Sequence, residues 1–233
     1  MTEELFREDS YLRECEATVT ATAPGKVILD RTVFYPTGGG QPGDRGVLVL
    51  PDGSELTITD TVKDDGGIAH LCDEGAALPA PGTKVTARLD WDRRYLHMRM
   101  HSCMHLLCAA VPCGVTGGQI GADKSRLDFD IGDQTLDKEQ ITAELNRLVD
   151  QDLPLSHRWI SDAELDASPD LVRTMSVQPP RGGGRIRLME VEGTDLQPCG
   201  GTHVARTGEI GRVAVSKIEN KGKRNRRVNV VFV

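Results

Sequence analysis

Short apolar runs alternate with turn residues through the first ninety positions. Residues 17–23, 26–30, 45–50, 56–62 and 84–89 are β-branched or alternating segments of strand length. Pro24-Gly25, the glycine-rich stretch 38–43, Pro51-Asp52-Gly53, residues 64–67 and Pro81-Gly82 separate them with turn chemistry. Strands at this spacing predict a small antiparallel β-barrel or sandwich ending near Trp91. The period then lengthens. Leu96, Met100, Met104 and Leu107 form an apolar stripe at helical spacing, which predicts a helix over 92–111, ended by Pro112 and Gly114. A second helix is expected over 137–151, with Ile141, Leu145, Leu148 and Val149 on one face and Asp137 and Gln140 as a capping box. A third, short helix is expected over 162–167, and strands over 185–191, 210–217 and 227–233. The fold class is therefore α+β. Residues 1–91 form a barrel-like domain, and residues 92–233 place helices on a largely antiparallel sheet.

Composition narrows the class. The 233 residues suffice for one large domain or two ordinary ones, and 25 glycines suit a turn-rich protein. No apolar run approaches the roughly 20 residues of a membrane span, and the opening MTEELFREDSYLRE lacks the apolar centre of a signal peptide. A cytoplasmic protein with reduced cysteines is expected. Cys15, Cys72, Cys103, Cys108 and Cys113 read as small, mostly buried residues. The net charge of −7 argues mildly against nucleic acid, but residues 217–227, KIENKGKRNRR, hold six bases and one acid. Such a run is a solvated surface segment or a phosphate-contacting one.

The chemistry concentrates in two short motifs. His101 and His105 lie four apart on the expected helix, so both imidazoles share one face and can meet one ion. His97 continues the series, but one ion cannot readily take all three. It is flanked by Arg93, Arg94 and Arg99 and is placed in a more polar, outer turn. Cys199-Gly-Gly-Thr-His203 implies a tight turn in which a thiolate and an imidazole converge. Alone, it fits a metal site, a nucleophilic Cys199 with His203 as base, or a buried thiol in a glycine turn. Together the pairs offer three imidazoles and one thiolate, a set suited to a single zinc ion. His70 and His157 carry no partner pattern and read as ordinary surface or satisfied histidines.

CGGTH, with HSCMH upstream, FYPTGGGQPGD near the N-terminus, GQIGADKSRLDFD between them and the closing KIENKGKRNRRVNVVF, resembles the AlaX family. Its members are freestanding relatives of the editing domain of alanyl-tRNA synthetase. The resemblance covers nearly the whole chain, and the medium-length form is the best match. At this length no aminoacylation domain is expected beside this module, and the C-terminal extension of the long form is expected to be missing.

The resemblance implies a trans-editing deacylase. Such proteins hydrolyse the ester joining serine, and to a lesser extent glycine, to tRNA specific for alanine. It maps one zinc onto His101, His105, Cys199 and His203. It makes Thr37, Gly38, Gly39, Gly40 and Gln41 the border of the editing pocket, where Thr37 and Gln41 can contact a serine side chain or the ester. A tRNA partner then makes Lys217, Lys221, Lys223, Arg224, Arg226 and Arg227 candidate phosphate contacts, with Arg181, Arg185 and Arg187 as possible extensions of that surface. Four protein ligands normally mark a structural zinc, which leaves three outcomes open: zinc expands its coordination, one ligand leaves, or zinc only shapes the pocket. The expectation for catalysis is that zinc orients a water or the substrate's amino group, and that this water attacks the ester carbonyl. No general base is assigned; Asp44, Asp128 and Asp130 are candidates by type alone. A zinc-structured tRNA-binding adaptor without catalysis, and a deacylase for another aminoacyl-tRNA, are the rival readings.

Overall fold

The structure, a computed structural model, describes residues 2–168, 171–172 and 185–233. The chain divides into two compact units, Met1–Tyr95 and Leu96–Val233. The division falls inside the first long helix.

The first unit contains β1 (Glu3–Glu4), β2 (Glu14–Ala23), β3 (Lys26–Leu29), β4 (Arg31–Thr32), β5 (Gly46–Val49), β6 (Glu55–Ile58), β7 (Asp60–Asp64), β8 (Gly67–Leu71) and β9 (Lys84–Leu89). Seven strands pair antiparallel in the order β6-β5-β9-β2-β3-β8-β7, while β1 and β4 form a short parallel pair. Alternation places Ala17 and Val19 of β2 and Val85, Ala87 and Leu89 of β9 in one core with Val27, Leu29, Phe34, Leu48 and Ile58. The expected barrel is corrected here. Among the described residues no ladder joins the edge strands β6 and β7, so the sheet is open. The run expected as one strand over 56–62 breaks at Thr59, whose N–H turns to the Leu71 carbonyl at 2.8 Å.

The chain continues through α1 (Trp91–Ala110) and then β10 (Gly114–Gln119), β11 (Lys124–Asp130), α2 (Lys138–Asp150), β12 (Leu155–Ile160), α3 (Asp162–Asp166), β13 (Ile186–Val191), β14 (Asp195–Pro198), β15 (Val213–Asn220) and β16 (Asn225–Phe232). The sheets are antiparallel, ordered β10-β11-β16-β15 and β12-β13-β14. Asp137 caps α2 by accepting the Gln140 N–H at 2.8 Å, and Ile141, Leu145, Leu148 and Val149 are its buried residues. Ser161 and Glu164 form a complete capping box at α3. From Met100 to Cys108 every residue of α1 is buried, so the helix has no solvent face in that stretch. No helix among the described residues is long and apolar enough to cross a membrane. None of the six cysteines forms a disulfide, and Cys72, Cys103 and Cys108 are buried.

The first unit also seals a histidine in its core. His70 on β8 is fully buried; its Nδ1–H donates to the Val27 carbonyl at 3.2 Å, and its Nε2 lies 2.8 Å from the Thr32 hydroxyl. Burial pushes its pKa down to about 4, against the pull of the Val27 carbonyl. The unfolded chain takes up a proton near pH 6.5, whereas the folded chain resists it until about pH 4. This contribution to stability is therefore complete above pH 6.5 and drains away as pH falls through that window. Urea unfolding at pH 7.5 and 4.5 is expected to show wild type losing about 2 kcal/mol more than His70→Gln across the interval. Equal losses would contradict this.

Candidate metal centre

His101 and His105 project from one face of α1, as their spacing requires. The opposite wall comes from the β13–β14 hairpin and the turn that leaves it. The ligand atoms of His101, His105, Cys199 and His203 all lie within 4.8 Å of one another. Cys199 Sγ stands 3.2 Å from His203 Nε2 and 3.5 Å from His101 Nε2. A tetrahedral ion with bonds of about 2.0–2.3 Å would hold its ligand atoms roughly 3.3–3.8 Å apart; the two Cys199 contacts lie close to that range, within a group that spans up to 4.8 Å.

Neighbouring groups set the orientation of the His105 and His203 rings. His105 Nδ1–H donates to Asp195 Oδ2 at 2.8 Å, and Gln197 Nε2 donates to the same oxygen at 2.8 Å. This leaves His105 Nε2 for the shared space. His203 Nδ1 lies 3.3 Å from the Ser102 hydroxyl, which also accepts the Val204 N–H at 3.1 Å. A carboxylate behind a ligating imidazole fixes its tautomer and raises its basicity. Arg187 on β13 holds the glycine turn: its Nη1 donates to the carbonyls of Cys199 and Gly201 at 3.2 and 3.0 Å, while its own carbonyl accepts the Cys199 N–H at 3.0 Å.

The electrostatics favour a cation. Burial opposes a thiolate at Cys199, but the charges of His101 and His203, with hydrogen bonds from His101 and His105, draw the thiol well below its ordinary pKa. Burial and the charge of His101 push His203 well below the imidazole range. At His105 burial opposes the proton, yet the Asp195 hydrogen bond and the Cys199 thiolate outweigh it and raise the pKa. A thiolate and three imidazoles, those of His105 and His203 with their outer nitrogens engaged, form a donor set that a divalent ion completes.

Several expectations require correction or relocation. His97 is 2% exposed and outside the four-residue group, so it does not occupy a polar outer turn. Arg187 is buried against the turn and does not extend a basic surface. Arg181 lies outside the described residues. The candidate bases are all ion-paired. Arg94 engages Asp44 in the first unit, Arg227 holds Asp128 through two 2.8 Å hydrogen bonds, and Arg224 Nε donates to Asp130 at 3.0 Å. The Arg227 hydrogen bond lowers the pKa of Asp128, as the Gly132 N–H and then Arg224 do for Asp130.

The basic run forms the ends of β15 and β16 and the turn joining them. Lys217 pairs with Glu219 at 3.1 Å, and Arg226 donates to the Asn225 carbonyl at 2.9 Å. Lys221 and Lys223 are exposed and form no ion pair among the described residues. Partly exposed pairs are weak enough for a phosphate to compete with them.

In the first unit, Gly38 and Gln41 exchange backbone hydrogen bonds of 3.1 and 2.9 Å around Gly39 (φ 56°) and Gly40 (φ 80°). Positive φ at both central positions is the pattern of a type I′ turn and suits glycine. Thr37 is exposed, with Oγ1 accepting the Gly43 N–H at 2.8 Å, whereas Gln41 is fully buried.

Ser102, Asp195 and Gln197 are the contributors that sequence reasoning missed, and Arg187 is one it assigned to a different surface. Asp195 and Gln197 carried one faint signal, two polar residues at strand spacing immediately before CGGTH.

Comparison with known proteins places the chain in a family. Residues 5–93 match the family model of class II (A) tRNA synthetases, and residues 186–229, which contain Cys199 and His203, match the threonyl and alanyl tRNA synthetase second additional domain. The chain is 39% identical to the alanyl-tRNA editing protein AlaX-M of Methanosarcina acetivorans, covering 98% of each chain. It is 36% identical to AlaX-M of Saccharolobus solfataricus, again over 98% of each. It is 34% identical to an alanine–tRNA ligase of Pyrococcus abyssi, matching 94% of this chain and 24% of the ligase. Full-length similarity at this level shows that the chain belongs to the AlaX family of alanyl-tRNA editing proteins.

Proposed function

We propose that this protein is a trans-editing deacylase that hydrolyses the ester of seryl-tRNA for alanine, with glycyl-tRNA as a secondary substrate. One zinc ion would be held by His101, His105, Cys199 and His203. The observation that carries this reading is the convergence of those four side chains in a member of the AlaX family. When bound, zinc supplies Lewis-acid chemistry suited to ester hydrolysis.

The chain's own groups do the rest. Asp195 and Ser102 orient His105 and His203, and Arg187 keeps Cys199 and His203 in one turn. Serine differs from alanine by one hydroxyl, which a small apolar pocket cannot strongly reject. An editing pocket can instead require that hydroxyl by leaving a polar partner unpaired when alanine enters. The exposed Thr37 is assigned that role, with Gly38, Gly39 and Gly40 shaping the pocket's turn and the buried Gln41 closing it through its backbone hydrogen bonds to Gly38. Lys217, Lys221, Lys223, Arg224, Arg226 and Arg227 are assigned to tRNA phosphates, led by the exposed Lys221 and Lys223, which form no ion pair among the described residues.

The decisive test is amino-acid release from seryl-, glycyl-, threonyl- and alanyl-tRNA for alanine, with and without chelation and with Cys199→Ala. Release from the seryl and glycyl esters is expected, the alanyl ester being spared. Chelation or Cys199→Ala should lower the rate about 100-fold. Binding of tRNA with every ester left intact would make the protein an adaptor and sink the deacylase reading. A second test removes the carboxylate behind His105. Asp195→Asn should weaken zinc affinity about 10–100-fold in a competition titration. Unchanged affinity would remove Asp195 from the account.

A further inference from the structure

Between Tyr35 and Asp44 the chain leaves the core and returns to it, and the intervening residues include the 37–41 turn. Asp44 N–H donates to the Tyr35 carbonyl at 2.9 Å, and Tyr35 N–H donates to Asp44 Oδ2 at 2.6 Å. The two ends of the loop are therefore pinned by one residue's backbone and carboxylate. That carboxylate is 1% exposed and is held by Arg94, which is itself fully buried. Arg94 Nε donates to Asp44 Oδ2 at 2.9 Å, Nη1 to the Ser10 carbonyl at 3.1 Å and Nη2 to the Val33 carbonyl at 2.6 Å. Arg93 adds a 2.7 Å hydrogen bond to the Gly43 carbonyl.

Inside this bracket the Tyr35 hydroxyl donates to the Gly38 carbonyl at 2.7 Å, and Thr37 Oγ1 accepts the Gly43 N–H. Gly43 has no room for a side chain, since a Cβ there would stand 2.1 Å from the Thr61 carbonyl oxygen. A buried ion pair is a poor means of gaining stability, because desolvating both charges offsets most of their attraction. Its geometric effect is clearer: a guanidinium fork with several fixed acceptors specifies one arrangement of the chain.

We infer that Arg94, acting through Asp44, is a positioning residue that sets the conformation of the Thr37–Gln41 turn and thereby the selection of the amino acid. This rests on the functional reading above in giving that turn to the substrate. The role is separate from metal binding, since none of these residues belongs to the four-ligand cluster.

The test uses the full chain with Arg94→Lys, which keeps the charge but loses the fork, and with Asp44→Asn, which keeps the shape but loses the charge. Amide exchange is followed by mass spectrometry in peptides covering residues 36–43, beside metal content and deacylation of seryl- and alanyl-tRNA. The expected result is unchanged metal content, exchange about 10-fold faster in that segment, and kcat on the seryl ester reduced about 100-fold, with poorer discrimination against the alanyl ester. Unchanged exchange overturns the positioning role whatever the activity does. Faster exchange with wild-type kcat and discrimination overturns its link to selection. A wild-type protein inactive on every ester overturns the functional reading instead, and exchange alone then decides whether the clamp sets the turn. Should Arg94→Lys fail to fold, Asp44→Asn decides the outcome.

Discussion

A half-buried thiolate packed against three buried imidazoles must be compensated, and much of the second unit's local structure answers that requirement. Uncompensated buried charge is expensive, and a metal ion is the compensation this donor set suits. The geometry follows from elementary rules. Two histidines four apart on α1 face one way. The β13–β14 hairpin presents Asp195 and Gln197 on one side at strand period and then delivers the Cys199 turn. Arg187 uses its guanidinium on carbonyls of that turn, so the glycines are held in shape by hydrogen bonds. Burial of α1 along Met100–Cys108 keeps the histidines from swinging into solvent. A loose set of ligands would bind metal weakly, whereas one whose outer nitrogens are already engaged loses less freedom on binding.

The first unit answers a different constraint. Its glycine turn has to be shaped without a bulky side chain, so the shape comes from the surrounding hydrogen bonds. Asp44 and Arg94 sit at the base of that arrangement, with Gly43 filling a space that admits no Cβ. Both proposed parts of the deacylase thus share one design. Reacting or selecting groups sit on short turns, and a buried arginine with many acceptors fixes each turn. Arg187 does this for the metal turn and Arg94 for the glycine turn. In both cases the arginine's role is geometric.

How legible this was depended on the kind of information each residue carries. The shared face of His101 and His105 and the buried face of α2 could be read directly, because both rest on helical periodicity, while the tight CGGTH motif singled out Cys199 and His203. Strands such as β10, GVTGGQ, escaped notice because three glycines erase the alternation. β8 escaped because His70 interrupts its apolar pattern while being buried itself. The barrel was an overreach: strand count and turn spacing are local, but closure depends on which strands the two edges meet. His97 and Arg187 were misplaced for a related reason. Flanking charges suggest exposure only while those charges are themselves exposed, and Arg94 beside His97 is fully buried. Asp195, Ser102 and Gln197 depend on contacts across roughly ninety residues of chain and could not be singled out in advance.

The central claim is that one ion takes all four side chains. X-ray absorption at the zinc edge of the protein as purified tests it most directly. The account predicts a four-coordinate shell with one sulfur at about 2.3 Å and three nitrogens at about 2.0–2.1 Å. A shell without sulfur, or one dominated by oxygen, would contradict it.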